Sequence, residues 1–380
     1  MNILISVTHL LGTGHLGRAL TLGRAFSKAG HHVAVLTGGR PAPHLDATGV
    51  QVIQAPSLAS DGTNFTKLLC DDGREADADY LQRRSSYMVA ALQDQRPDVF
   101  ITELFPFGRR SLSAEFLALL AACESMDKKP VVLGSVRDIL APPSKPEKAM
   151  RARDILLQHY DGVLVHSDPS VTALTESWPV TADVGALLKY TGYVAQEPAG
   201  AHPDGVGAGE VVVSAGGGSV GQALFEAAIE AARGHPLSWR ILVGGTDRDD
   251  RIAALRKRAG TLQITIEPVR PDFRQMLSGA AASVSMCGYN TAMDLLQSGV
   301  PAVLVPFDDG GEVEQTLRGR SLATQGGFEV LMAQDVSAHT LSREVARVLK
   351  SGKRSVGGLR MDGAAESVRI VESMVAESPS

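Results

Sequence analysis

The chain has 380 residues, 44% of them apolar and 21% charged, which suits two packed domains of ordinary size and excludes wholesale disorder. A formal net charge of −5 argues against a general nucleic-acid binder, which carries a basic excess. Cys70, Cys123 and Cys287 lie far apart with no CxxC spacing, so they read as free thiols of a reducing cytoplasm rather than a disulfide frame or a zinc site.

The first predicted strand, in "NILISV", has no basic region before it, which predicts no signal peptide. It runs into "LLGTGHLGRAL", Leu10 to Leu20, where Gly12-x-Gly14-x-x-Gly17 has the spacing of a dinucleotide-binding loop between strand and helix. A nicotinamide site also needs an acidic residue about 20 positions on, at the end of the second strand. That strand, "HHVAVLTGGR", has no Asp or Glu before Asp46, and only Arg40 could meet a 2′-phosphate. The same loop carries His15. At a helix N-terminus beside glycines a ligand can approach closely, and the helix dipole lowers an imidazole's pKa. His15 is either a hydrogen-bonded loop residue or a neutral base.

Further along, "HVAVLTG", "VQVIQ", "DVFITEL", "PVVLGSV" and "GVLVHS" are apolar almost throughout, as strands buried on both faces of a parallel sheet are. Helical patterns such as "GRALTLGRAFSKAG" and "DYLQRRSSYMVAALQDQ" separate them, implying βαβ units. Glu103 and Asp138 follow predicted strands, where open α/β sheets place their ligands, and are further candidates for a base or an acceptor contact. Arg109, Arg110 and Arg137 either bind an anionic acceptor or are solvated charge. "SKPEKAMRAR", Ser144 to Arg153, reads as an exposed loop and helix start or as a contact with an acidic membrane surface. The longest apolar runs, such as Phe116–Cys123, fall far short of the roughly 20 residues that span a bilayer.

Residues 195–210 are rich in Gly, Pro and Ala without an apolar period. They divide the chain into an N-terminal domain, 1–195, a linker, 196–210, and a C-terminal domain, 211–380. Strand-helix alternation restarts with "VVVSA", "RILVGG", "QITIEP", "ASVSM", "AVLVPF" and "FEVLM". Ser214–Leu224, "SAGGGSVGQAL", packs four glycines into Gly216–Gly221 beside Ser219 at a helix start, an anion cradle suited to a diphosphate without a metal. "DRDD", Asp247–Asp250, reads as a solvated turn, and no DxD stands where it would hold a metal. Gly288 ends a strand, and Thr291 and Asp294 share a face of the next helix, where a carboxylate can accept from both ribose hydroxyls. Glu312, Glu314 and Gln315 lie in an acidic, glycine-bearing loop. The stretch 363–377 reads as a last helix, free to pack back on the N-terminal domain.

This order of motifs resembles the GT-B glycosyltransferases, most closely the MurG-like members of family 28, over nearly the whole chain. The resemblance implies two doubly wound Rossmann-like domains facing across a cleft, with the nucleotide-sugar donor on the C-terminal one. Gly288, Thr291 and Asp294 look like the family's ribose-binding helix start, with Tyr289 and Asn290 beside them. Gly217, Gly218 and Ser219 resemble its pyrophosphate loop, and Glu314 and Gln315 the segment that holds the donor sugar. Arg270 falls where the family's backbone meets uracil. Thr13 and Gly14 join the donor side, Arg109 and Arg137 the acceptor side.

"HLLGTGHLGRA", "ELFPFGRR", "SVRDIL" and "VHSDP" look most like a bacterial group of predicted glycosyltransferases of this type. Asp294 stands where the MurG-like pattern has Glu, and Gln196 where it has an arginine. "GTGH" is one glycine shorter than the family's loop and resembles that of the UDP-sugar hydrolase of pseudaminic acid synthesis. The resemblance implies an inverting, metal-independent transfer from a nucleotide sugar, UDP-linked, to a hydroxyl acceptor, with His15 as base, no separate cofactor, and domains that close on each other. Nucleotide-sugar hydrolysis or epimerisation, and plain sugar-nucleotide binding, are the alternatives. The expected setting is cytoplasmic, with or without contact to the inner membrane face.

Overall fold

The computed structural model describes residues 1–10, 12–60, 67–308 and 312–377. The chain divides into two compact units. The first comprises Met1–Pro169, Ala173–Ala195 and the stretch from Arg360 onward; the second comprises Ser170–Thr172 and Gln196–Leu359. Residues 196–210 contain no helix or strand and belong to the second unit.

In the first unit β1 (Asn2–Val7), β2 (His32–Thr37), β3 (Gln51–Gln54), β4 (Val99–Glu103), β5 (Val131–Arg137), β6 (Gly162–His166) and β7 (Leu188–Tyr190) form one sheet in the order β3-β2-β1-β4-β5-β6-β7. All pairings are parallel. Successive strand residues point to opposite faces. Leu4, Leu36, Phe100 and Val165 therefore enter one buried cluster, and Ile3, Ile5, Val35 and Ile101 the other. This two-sided burial explains why the strands read as continuous apolar runs.

The connecting helices are α1 (Gly14–Lys28), α2 (Ala78–Gln95), α3 (Ser113–Glu124), α4 (Pro146–His159) and α5 (Ala182–Leu187). The last helix, Gly363–Glu377, packs on α1. Its entry needs glycine at 363, since a Cβ there would collide with the backbone of Gly192 and Tyr193. α5 and β7 carry no clear sequence signal. β7 is a three-residue, half-buried edge strand, too short to show a period.

In the second unit β8 (Val211–Ser214), β9 (Trp239–Val243), β10 (Ile264–Pro268), β11 (Ala282–Ser285), β12 (Ala302–Leu304) and β13 (Phe328–Val330) form a parallel sheet in the order β10-β9-β8-β11-β12-β13. Its helices are α6 (Gln222–Ala232), α7 (Arg248–Ala259), α8 (Phe273–Gly279), α9 (Tyr289–Ser298), α10 (Glu314–Ala323) and α11 (Ala338–Ser351). "DRDD" is exposed, with Asp247 in a turn, but the rest of it is helical. Arg248 opens α7, and Asp249 and Asp250 occupy its first turn, where the helix dipole favours acid.

Candidate active site

Each sheet winds outward in both directions from one adjacent pair of strands: β1 and β4 in the first, β8 and β11 in the second. Ligands of doubly wound sheets bind outside the carboxyl ends of strands at such a switch point.

At the first switch point the loop after β1 meets the end of β4. His15 stands in the first turn of α1 with its side chain 16% exposed, and Glu103 ends β4 with 1% exposed. His15 Nδ1 lies 3.0 Å from Glu103 Oε1. The Arg18 guanidinium, one turn along α1, also bonds to Glu103 Oε1. Ser135 Oγ donates to Glu103 Oε2 at 2.7 Å. Burial pushes the Glu103 carboxyl up, but Arg18, His15 and Ser135 outweigh it and hold it well below the usual carboxylate range.

Glu103 is therefore ionised and surrounded by donors. Its two oxygens are both held by donors, and one of them faces His15. Because a carboxylate only accepts, the proton of His15 sits on Nδ1, and Nε2 is left with its lone pair. The His15 pKa falls from 6.5 to about 3, chiefly by burial; the Glu103 hydrogen bond opposes this, and Arg137, Arg109 and Arg18 add to it. Burial and three arginines keep this imidazole neutral. A Cβ at Gly12, Gly14 or Gly17 would meet nothing within 4 Å, so these glycines leave open space around the histidine rather than serving internal packing. Thr13 caps α1 without a side-chain bond. Asp138 is buried directly after β5.

The base of this loop is braced by Arg84, a buried residue of α2 with no legible sequence signal. It forks onto Glu115 at 2.8 and 3.1 Å and also donates to Thr8 Oγ1 and to the carbonyls of Gly38 and Pro56. One guanidinium thereby ties together the turns that follow β1, β2 and β3.

At the second switch point the glycine loop after β8 requires Gly216 and Gly221 at φ +81° and +84°. Among the described residues the amides of Gly217, Gly218 and Ser219 take no hydrogen bond, while Gly245 N donates to Gly217 O at 3.0 Å. Gly244 and Gly245 let the turn after β9 come this close, since a Cβ on either would strike the first loop. That contact delivers Asp247, whose carboxyl is held below its ordinary value chiefly by the Ser219 hydroxyl. Ser219 is exposed beside Asp247. A cavity of about 550 Å³ opens here, its lining including Ser219, Gly221, Leu224, Asp247, Met286 and Phe307. Of the donor residues read from sequence, only Ser219 is in the described lining.

Of the others in the second unit, most stand at the starts of α9 and α10. Gly288 caps α9, Asn290 is exposed and Thr291 half-buried. Asp294 accepts from Arg274 Nε at 2.8 Å, yet burial pushes its carboxyl up to about 6. Arg274 also donates to Glu197 O at 2.7 Å, fastening the segment after residue 195. The Arg270 guanidinium forks onto Asp272 at 2.8 and 2.7 Å. Gln315 Oε1 accepts from the amides of Cys287 and Phe307 at 2.9 and 3.1 Å, so its carbonyl staples the ends of β11 and β12. Arg318, missed in the sequence, donates to Cys287 O and lies 5.8 Å from the Tyr289 ring. Glu314 opens α10 with its amide 2.5 Å from Glu312 Oε1.

No group of three or more His, Cys, Asp or Glu among the described residues could hold a metal ion. No helix among them is long and apolar enough to cross a membrane. The basic stretch 144–153 spans the start of α4, which exposes Met150 and Leu157.

These two switch-point sheets define the GT-B fold class. The solved structure of Acinetobacter baumannii MurG superposes with a TM-score of 0.67 at 15% identity, covering 98% of this chain and 100% of that one. Residues 212–369 match the glycosyltransferase family 28 C-terminal domain. The chain thus shares the fold of that MurG, and residues 212–369 are similar to the family 28 C-terminal domain.

Two curated relatives are UDP-N-acetylglucosamine–N-acetylmuramyl-(pentapeptide) pyrophosphoryl-undecaprenol N-acetylglucosamine transferases. That of Bacillus thuringiensis is 27% identical over 139 residues, 34% of this chain and 38% of the relative. That of Syntrophotalea carbinolica is 31% identical over 159 residues, 40% of this chain and 44% of the relative. The match thus spans about two fifths of the curated relatives' length.

Proposed function

We propose that the protein is an inverting, metal-independent glycosyltransferase that moves a sugar from a UDP-linked donor to a hydroxyl acceptor. The observation that carries this is His15, neutral, with Nδ1 on a buried carboxylate and Nε2 free of that bond, at the switch point of the first sheet. Nε2 takes the proton of the acceptor hydroxyl as its oxygen attacks the anomeric carbon. The bond from that carbon to the diphosphate oxygen breaks on the opposite face, its electron pair leaves with UDP, and the configuration inverts. Glu103 stabilises the imidazolium.

The leaving diphosphate binds the amides of Gly217–Ser219 at the start of α6, a contribution of several kcal/mol in a site closed to water. Asp294 receives the ribose hydroxyls. Arg109 and Arg137, whose charge acts on His15, favour an anionic acceptor. The relatives' names suggest a lipid-linked one, and α4, with exposed Met150 beside Lys148 and Arg151, suits contact with an acidic bilayer face.

The test is UDP, GDP and dTDP binding by calorimetry, followed by nucleotide release from the corresponding sugars with and without EDTA. UDP binding and EDTA-resistant release support the reading. No binding of any nucleotide sinks it, and a strict Mg²⁺ requirement sinks its metal-free form. Free sugar released at full rate without acceptor makes the protein a hydrolase.

A further inference from the structure

His15 and Glu103 do not end the chain of hydrogen bonds. Glu103 on β4 is the register partner of Ser135 on β5, so the two side chains share a face. His166 pairs with Arg137, two residues beyond Ser135, and two residues along a strand return to the same face. Thr191 follows β7. Ser135, His166 and Thr191 are fully buried. His166 Nε2 is 3.0 Å from Ser135 Oγ, and His166 Nδ1 is 3.0 Å from Thr191 Oγ1. A polar line therefore crosses β4, β5 and β6 to the residue after β7, at the carboxyl edge of the sheet.

From Glu103 to His166 its protons have one consistent order. The single hydroxyl proton of Ser135 goes to Glu103 Oε2, because an ionised carboxylate cannot donate. Ser135 must then accept from His166 Nε2–H. His166, whose pKa burial lowers to about 3, is neutral and has one ring proton, so its Nδ1 faces Thr191 Oγ1 as one of three acceptors around that hydroxyl, with Gly192 O at 2.7 Å and Val165 O at 3.3 Å. At the other end the charged groups acting on His15 are Glu103, Arg18, Arg109 and Arg137. Three are cations and cannot accept; Arg18 Nη2 also lies 3.3 Å from Nδ1, but the carboxylate is nearer at 3.0 Å and can only accept, so Glu103 takes His15 Nδ1–H. Arg18 also reaches Oε1, so Oε1 is held by two donors and Oε2 by Ser135. The carboxylate is fixed at both oxygens.

We propose that Ser135 and His166 are positioning residues that lock the Glu103 carboxylate in one rotamer and thereby fix His15 as the Nδ1–H tautomer, with Nε2 as the reactive nitrogen. The catalytic meaning of this device rests on His15 being the base; the tautomer itself does not. Loss of Ser135 frees Oε2 and lets the carboxylate rotate between its Arg18 and His15 partners. Loss of His166 frees Ser135 to turn its proton away. Neither residue belongs to the second unit.

The experiment uses the full chain labelled with ¹⁵N-histidine, whose long-range ¹H–¹⁵N spectra report which ring nitrogen is protonated. In the wild type at pH 7, His15 should show Nδ1–H and His166 Nε2–H. Ser135→Ala and His166→Phe should give a mixture of His15 tautomers, and kcat for UDP release should fall roughly 3- to 10-fold with UDP affinity unchanged. Ser135→Thr, which keeps the hydroxyl, and His166→Gln, which can donate to Ser135 and accept from Thr191, should restore the single tautomer. They also keep the test informative if the harsher variants fail to fold.

A single Nδ1–H tautomer of His15 in folded Ser135→Ala and His166→Phe, or an Nε2–H His15 in the wild type, overturns the proposal. His15→Ala with full turnover would instead overturn the base assignment, and the tautomer spectra would stand.

Discussion

Glu103→Gln separates charge from shape at the candidate base. The amide is nearly isosteric and can still accept from His15 and Arg18 through Oε1 while its NH₂ faces Ser135. What disappears is the negative charge. Arg18, with its side chain 5% exposed, would then be a buried cation without its counter-ion. Removing one partner of a buried pair costs about 3–5 kcal/mol. That is a large share of the roughly 5–15 kcal/mol that holds a domain together, so the variant should fold but melt earlier.

The kinetic cost of Glu103→Gln has a different origin. In the wild type the imidazolium that forms during proton transfer faces a carboxylate 3.0 Å away; in the variant it faces a neutral amide. A kcat loss of roughly 10²–10⁴ is expected, with donor affinity unchanged. UDP release under saturating donor and denaturant unfolding measure the two effects. Arg18→Met combined with Glu103→Gln removes the orphaned cation and should recover much of the stability but none of the rate. A kcat within about threefold of wild type, with an unshifted unfolding midpoint, would refute the charge-pair account.

His15→Ala should lower kcat by about 10²–10⁴ while UDP affinity, measured by calorimetry, stays put; near-normal turnover would leave His15 a loop-ordering residue. With its pKa lowered to about 3, His15 should impose no loss of rate between pH 7 and 5. Stability should nonetheless decline on acidification, because His15 and His166 are both brought from 6.5 to about 3 and the unfolded chain takes up their protons first. The expected slope between pH 6.5 and 3 is about 1.4 kcal/mol per unit for each histidine, read from urea midpoints. Glu103, depressed in the native state, keeps its stabilisation above its unfolded pKa of about 4.3 and loses it only as pH falls through its lowered native value.

Asp294→Ala should weaken UDP binding by about 1–3 kcal/mol, and wild-type affinity should itself decline below pH 6 as Asp294 protonates; a flat affinity profile between pH 7.5 and 5 would separate Asp294 from the donor. Arg84→Met should cost about 3–5 kcal/mol by stranding Glu115, and Arg84→Met with Glu115→Leu should return part of it.

Local pattern alone determined most of the scaffold. Strands buried on both faces read as apolar runs because both pleat faces meet helices, so β1, β2, β4, β5 and β6 were legible to within a residue or two. The last helix, Gly363–Glu377, was legible from its apolar period. The edge strand β7 was not, since a three-residue, half-buried segment has no period to show. The glycine loops and His15 were legible because conformational freedom and helix-start chemistry are local properties.

Partnership was decided only by the tertiary structure. Glu103 is 88 residues from His15, and nothing local says that β4 lies beside β1; strand order does. Arg18 reads as a helix-surface arginine until that neighbour gives it a carboxylate, and Ser135 and His166 read as ordinary strand residues until the register aligns them. The same rule brings Asp247, at the turn after β9, beside Ser219 of the glycine loop. A side chain's chemistry is set by the charges and donors packed around it, and in a doubly wound sheet those come from strands adjacent in space but far apart in sequence.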